Sequence, residues 1–485
     1  MFTTRSQVWT ITTQYLDRYR SRASGAAADA DRPLPVTGAQ RRFLLARHLS
    51  PHGRADLVPL FFRFPRGSLD PRRLDAAAGY VAAGHPVLRS RPAVLGGVPV
   101  LLPVGPQEPG AYVARLGGPD RAPDGHGKGG GGGGGGGGGR AGDLLRAALA
   151  GWGEGPPLRL LLAPADGQER AEDGGRDQEV LALVMDHAVC DERSIGRIIA
   201  DLSEGYTHGL GPDDLPAARA REALCAYRAA VHAQLAVEEA ASGPAALAHW
   251  ARRLSGLAGA GGRSGPPVPS GAGDGGSDVL SARLPEHSGG GDHGRGPDPA
   301  LRFPALLTAC DRAARVLYGR GPRGPAPLLG YAWGGRPTGA EDVVGAFLNT
   351  VPFLAPPTTD HHRTGVAGDA DTDAVFELWC ADLEHADTPF DEIVRAARAA
   401  DLPWPGRFDG LLTFEDRDLR PALRLGGVTG VEIHVDGRPL QAPLTVALAH
   451  GADARVRMAW ERAAFPDGAP EEAFTALLAA LPPGA

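Results

Sequence analysis

The stretch LALVMDHAVCDERSIGRIIADLSEGY, Leu181–Tyr206, decides how the chain is read. It continues a run, VLALVM (180–185), that is apolar at every position and of strand length, the pattern of a strand buried on both faces. After Ser194 the apolar residues fall at Ile195, Ile198, Ile199 and Leu202, the spacing of an amphipathic helix. Residues 186–193 are therefore a strand-to-helix loop, where a rigid scaffold often presents chemistry. That loop holds Asp186, His187 and Asp191. Taken alone, the spacing favours a plain reading, with Asp191 as a helix cap and His187 as a satisfied loop histidine. With 15 histidines, a His-x-x-x-Asp arises by chance about once.

Composition narrows the options. The 485 residues suggest two or three domains, and 42% hydrophobic with 22% charged residues is ordinary for a soluble globular protein. A net charge of −7 without a long basic run gives a nucleic-acid partner no electrostatic support. The first thirty residues lack the apolar core of a signal peptide, and no run of about eighteen apolar residues exists to span a membrane. Cys190, Cys225, Cys310 and Cys380 lie far apart, which fits free thiols in a reducing cytoplasm better than disulfides or zinc.

Four breaks punctuate the chain. Residues 1–33 read as a flexible lead-in, ending in SRASGAAADADRP. Residues 117–140 carry GHGKGGGGGGGGGGGR, a low-complexity insert. Lys128 does not make it a phosphate loop, because Gly129 stands where Ser or Thr is needed and no strand precedes it. Residues 258–299, rich in Gly and Pro, read as a linker, and 356–373 (PPTTDHHRTGVAGDADTD) as a polar loop. LVPLFFRF (57–64) and LRLLLA (158–163) are of strand length, whereas LDAAAGYVAAGHPVLRS, AALAHWARRLSGL and EEAFTALLAALP are helical in pattern. The expectation is an α/β chain of two comparable lobes, 34–257 and 300–485.

The segment DHAVCDERS resembles the core motif HHxxxDG of the condensation domains of nonribosomal peptide synthesis. Further segments follow in the family's order. LPVTGAQRRFLL (34–45) is similar to its opening segment, GHPVLRS (84–90) to its helix-to-strand turn, and AALAHWARRLSGL to the helix closing its first lobe. GYAWGGRPTGAEDVVGAFLNTVPF (330–353) resembles its second-lobe signature, and TPFDEIVRAA and GRFDGLLTFED its later motifs. The resemblance implies two chloramphenicol-acetyltransferase-like lobes, mixed sheets flanked by helices, forming a V with a central channel. It also implies His187 at the reaction centre, and Asp191 in a structural role paired with an arginine, for which Arg336 is the candidate.

Two positions depart from the motif: Asp186 replaces the first histidine and Glu192 the glycine. Asp186, Asp191 and Ser194 also spell DxxxxDxxS, the form of heterocyclization domains, a sister group that normally lacks the histidine kept here. WERAAFPDGAPEEAF leans the same way, while the GRP and NTxP elements resemble ordinary condensation domains. Asp186 is expected either to stabilise a His187 imidazolium or to serve as a hydrogen-bonded core acid. Glu192 is expected to narrow the channel mouth or repel a phosphopantetheine phosphate. Ser194 and Asn349 join these two as possible channel or substrate-binding residues.

The resemblance implies an enzyme that joins a carrier-bound acyl or aminoacyl thioester to an amine or alcohol in secondary metabolism. Heterocyclization, and a non-catalytic module that docks carrier or tailoring proteins, are the alternatives. No adenylation domain or phosphopantetheine-bearing segment is evident, so acyl or peptidyl carrier proteins would supply the phosphopantetheine and no cofactor is bound directly. The initial Met and a family-like end lead to the expectation of a stand-alone cytoplasmic monomer. Remaining features take plainer readings: Cys190 as a small buried residue, His361 and His362 as a solvated pair, Trp333 and Trp404 as core.

Overall fold

The apolar run 180–185 lies at the centre of a five-stranded sheet, as its composition requires. The computed structural model describes residues 10–24, 32–49, 56–105, 111–116, 140–150, 155–165, 177–257, 276–284, 299–321, 324–356, 369–402, 404–416, 420–438, 440–450 and 454–481. The glycine-rich insert (117–139) and His361 and His362 lie outside the described residues. The first sheet runs in the order Val431–Ile433, Leu57–Pro65, Gln178–Asp186, Leu158–Pro164, Tyr112–Arg115. Gln178–Asp186 is antiparallel to both neighbours, with Leu57 opposite Asp186 and Leu158 opposite Met185. Its alternating side chains feed two cores. Leu181, Leu183 and Met185 pack towards the helices Pro71–Gly84 and Glu192–His208, whereas Val180, Ala182 and Val184 join Leu144, Leu145 and Ala148 of the helix Arg140–Leu149. A strand without a polar face is the consequence.

The second sheet has six strands, in the order Ser277–Arg283, Arg455–Glu461, Leu444–His450, Gly410–Asp416, Leu328–Trp333, Asn349–Leu354. Gly410–Asp416 pairs in parallel with both neighbours, and the remaining pairs are antiparallel. Leu306, Leu307 and Cys310 of the helix Pro299–Leu317, Ala473 and Leu477 of Ala469–Ala480, and Ile393 of Phe390–Ala399 fill the core behind it.

The expected boundaries need correction. Part of the lead-in 1–33 is the helix Ile11–Ala23, capped by Thr10 and burying Tyr15, Leu16, Tyr19 and Ala23 in the first core. Its apolar stripe is narrow and set among Thr, Gln and Arg, so local composition masks it. Within the expected linker 258–299, Ser277–Arg283 is the edge strand of the second sheet. Trp250 and Leu254, placed with the first lobe by sequence, belong to the second core. In the other direction, Ala340, Val344, Phe347, Leu423 and Leu425 pack into the first core, and Val431–Ile433 extends the first sheet. The two lobes are thus tied at the seam by segments reaching from the second into the first.

Candidate functional site

At the end of the central strand, Asp186 turns the chain. Its Oδ1 accepts from the Ala188 amide at 2.9 Å, capping the short 3₁₀ turn His187–Val189, and its Oδ2 pairs with Arg47 at 2.6 Å. Cys190 follows in extended conformation with its thiol sealed in the core. Burial first, then the carboxylates of Asp191, Asp186 and Glu192, push that thiol well above its ordinary range, so it holds no thiolate at neutral pH.

Asp191 caps the helix Glu192–His208, its Oδ1 accepting from the Ser194 amide at 3.0 Å. The same oxygen receives Arg336 Nη2 at 2.6 Å, and Oδ2 receives the Phe347 amide at 3.1 Å. Both side chains of the ion pair are almost fully buried, at 3% and 4% exposure. Arg336 also donates to Ser194 Oγ and to the carbonyls of Gly345 and Val343, with its guanidinium 4.5 Å from the Phe347 ring centroid. Burial lowers Arg336 from its ordinary value while Asp191 works against that shift. Gly345 is required in this knot, because a Cβ there would meet the Phe347 ring at 2.7 Å. Ser194 Oγ lies 2.8 Å from the Gly345 carbonyl and accepts from the Gly345 amide at 3.0 Å. The pairing expected between Asp191 and Arg336 is therefore present, across the seam.

His187 is held differently. Its amide donates to the Asp56 carbonyl at 2.9 Å, which fixes the backbone, and its ring stacks on Phe43 with centroids 4.6 Å apart. Nδ1 is sealed from solvent and has no hydrogen-bond partner, while the residue as a whole is half-buried. Among the described residues no side-chain hydrogen bond engages the imidazole. Asp186 is bound to Arg47 instead, so of its two expected roles the structure places it in the core-acid one.

Glu192 points towards the second lobe. Arg420 donates to its Oε1 through Nη2 at 2.7 Å and Nε at 3.0 Å. The same guanidinium binds Glu432 through Nη1 and lies 3.9 Å from Glu415. Burial raises the Glu192 carboxyl above its ordinary value, with Arg420 opposing. Asn349 spends its amide within the second lobe, donating to the Ala386 and Thr388 carbonyls at 2.8 and 2.6 Å and accepting from the Phe390 amide at 3.1 Å. This corrects its candidacy for substrate, since both amide hydrogens are donated to carbonyls and the oxygen already accepts a backbone amide. Ser194 is corrected on the same ground, its hydroxyl being enclosed by Asp191, Gly345 and Arg336.

Three residues of the helix Gly38–Leu49 went unassigned by sequence. Gln40 Nε2 donates to the Ala188 carbonyl at 2.8 Å, Phe43 covers His187, and Arg47 binds Asp186. Their spacing, i, i+3 and i+7, places them on one helix face, and that periodicity was the available signal. Trp404 is core, edge-on to Phe390 and Phe408. Trp333 lines a narrow gap at the seam with Gly38, Phe347 and Asn349. A larger cavity of about 300 Å³ lies between Tyr80, His85, Arg197, Asp201, Tyr227 and the loop 339–344; it is not lined by His187. Among the described residues no group of three or more His, Cys, Asp or Glu is arranged to hold a metal.

No family model matches the sequence, and no curated protein matches it. Solved structures do. The X-domain from teicoplanin biosynthesis superposes with a TM-score of 0.60 at 17% identity, covering 93% of this chain and 96% of that one. The starter condensation domain of rhizomide synthetase, in complex with C8-CoA, gives 0.58 at 14% identity over 93% and 95%. The first condensation domain of the CDA synthetase gives 0.55 at 17% identity over 94% and 98%. Over nearly its whole length the chain has the two-lobed fold of these domains.

Proposed function

We propose that this chain with a condensation-domain fold is a condensation-type acyltransferase acting at His187 in nonribosomal peptide or related metabolism. One observation carries the reading. Asp186, Asp191, Glu192 and Ser194 are all consumed by structural partners, whereas the His187 imidazole, on a fixed backbone and stacked on Phe43, has an Nδ1 with no hydrogen-bond partner among the described residues.

A thioester is already activated, so transfer needs two substrates brought together and a proton removed as the nucleophile adds. The acceptor nitrogen or oxygen attacks the carbonyl carbon, the imidazole takes its proton, and the C–S bond breaks. That proton then passes to the departing thiolate. Imidazole suits both steps because it exchanges protons near neutral pH. Asp191 and Arg336 hold the turn without touching substrate. A carrier protein delivers the acyl group on phosphopantetheine, and the acceptor is a small amine or alcohol. Among the described residues no helix is long and apolar enough to cross a membrane.

A second reading, a docking module without turnover, is favoured by the Glu192–Arg420 bridge beside the motif. The X-domain from teicoplanin biosynthesis has also been solved in complex with OxyB. Intact-mass spectrometry with loaded carrier proteins and amine acceptors separates the readings. Disappearance of the loaded thioester with an amide or ester product supports transfer, and a further loss of water marks cyclisation. Carrier binding with no product, unchanged in His187→Ala, selects the docking module.

A further inference from the structure

The cavity of about 300 Å³ in the first lobe is lined by no residue of the motif loop 186–193. Its walls are the helix Pro71–Gly84 with the turn at His85 and Pro86, one face of Glu192–His208, the start of the helix Ala217–Ala241, and the loop 339–344. That loop also lends Arg336 the Val343 carbonyl, so one wall is continuous with the knot around Asp191. Buried Tyr80, Val81, Tyr227 and Val344 make up its apolar part, and the exposed Arg219, Glu222, Glu341 and Asp342 stand at its mouth. A volume of this size suits a small ligand.

One buried polar group faces the cavity with capacity to spare. His85, 8% exposed, has Nε2 2.7 Å from Asp201 Oδ2, and Arg197 Nε donates to the same oxygen at 3.0 Å. Burial works to raise the Asp201 carboxyl, but those two bonds prevail and hold it below its ordinary range. The ionised carboxylate therefore takes the Nε2 hydrogen. In the neutral ring this leaves Nδ1 an acceptor, and among the described residues no donor meets it.

The charges around it are uneven, four carboxylates to two guanidiniums. Arg197 is spent on Asp201 and on Asp342, 3.7 Å away, and Arg219 donates to the Tyr80 hydroxyl at 3.0 Å. Glu222 and Glu341 have no ion-pair partner among the described residues, and Arg193 acts on Glu341 only from a distance. An open acceptor nitrogen, surplus carboxylates and an apolar wall together match a cation with N–H donors and an apolar body.

We propose that this cavity is a second binding site, taking a small primary ammonium with an apolar body of about one ring. The ammonium donates to His85 Nδ1 and is balanced by Glu222 and Asp342, and the body lies against Tyr80, Val81 and Tyr227. The site is read without turnover and stands whichever reading of the motif holds. The test is calorimetric titration of the full chain with phenethylamine, 2-phenylethanol and 3-phenylpropionate, which share a phenethyl body and differ in charge.

Phenethylamine should bind about tenfold or more tightly than the alcohol, and the carboxylate more weakly than either. Ala226→Trp, at an exposed position of the wall, fills the cavity and should abolish binding while melting like the parent. Glu222→Gln combined with Asp342→Asn, both at exposed positions, should cut the gap between amine and alcohol to about threefold or less. The site is overturned if phenethylamine fails to bind at millimolar concentration, or if the alcohol or the carboxylate binds as tightly. It is equally overturned if a well-folded Ala226→Trp protein still binds the amine, or if the double variant keeps the full gap.

Discussion

Asp191→Asn tests the knot that holds the motif. The carboxylate accepts four hydrogen bonds, from Arg336, from the Ser194 amide and hydroxyl, and from the Phe347 amide. Asparagine keeps one oxygen, so the helix cap survives, but it removes the charge facing a guanidinium at 2.6 Å and 3% exposure. Breaking one partner of a buried pair costs about 3–5 kcal/mol. The amide nitrogen also faces the Phe347 N–H, donor against donor, at about 1–3 kcal/mol. The two losses share one residue and do not add, so the net expectation is about 3–5 kcal/mol. Urea unfolding of the full chain, followed by tryptophan fluorescence, reads it as a lowered midpoint. Arg336→Met should cost a similar amount, and the double variant less than the sum, with coupling of about 1–3 kcal/mol. An Asp191→Asn midpoint equal to the parent's, or strict additivity with Arg336→Met, would refute the argument.

Other outcomes follow from the same contacts. Asn349→Ala loses three hydrogen bonds joining a strand to the start of the helix Phe390–Ala399, and should lower stability by about 2–3 kcal/mol in the same assay. Because burial raises the Glu192 carboxyl in the folded state, its contribution is stabilising only when protonated and fades as pH rises above the ordinary 4.5. The parent should therefore lose stability relative to Glu192→Gln as pH climbs from 4.5 towards neutrality; parallel pH curves would oppose this. Phe43→Ala uncovers the imidazole stacked 4.6 Å beneath it, and should speed carbethoxylation of His187 several-fold, read by peptide mass.

Much of this site was legible where the signal was local. The apolar run 180–185, the 195–202 stripe and the capping position of Asp191 each follow from a few neighbouring residues, and the structure has the strand, the helix and the cap. The Asp191–Arg336 pair came from the order of motif-like segments rather than from any local rule. What was missed is non-local or masked. Arg420 reaches Glu192 from 228 positions away, and Val431–Ile433 is a three-residue strand whose partner, Leu57–Pro65, lies in the other lobe. Neither leaves a periodic trace. Ser277–Arg283 was hidden because its flanks are glycine-rich, and composition was read in place of the short run itself. Asp186 was left between two roles because the sequence does not show that Arg47, one helix earlier, turns towards it.

The most direct measurement is the single-turnover rate of acyl transfer from a loaded carrier, comparing the parent with His187→Ala. Alanine preserves the backbone hydrogen bond from residue 187 to the Asp56 carbonyl and removes a ring whose Nδ1 had no partner, so the variant should melt within a few degrees of the parent. The account requires its transfer rate to fall by about 10²-fold or more, the usual worth of a positioned proton acceptor. Transfer at the parent's rate by a well-folded His187→Ala protein would contradict it.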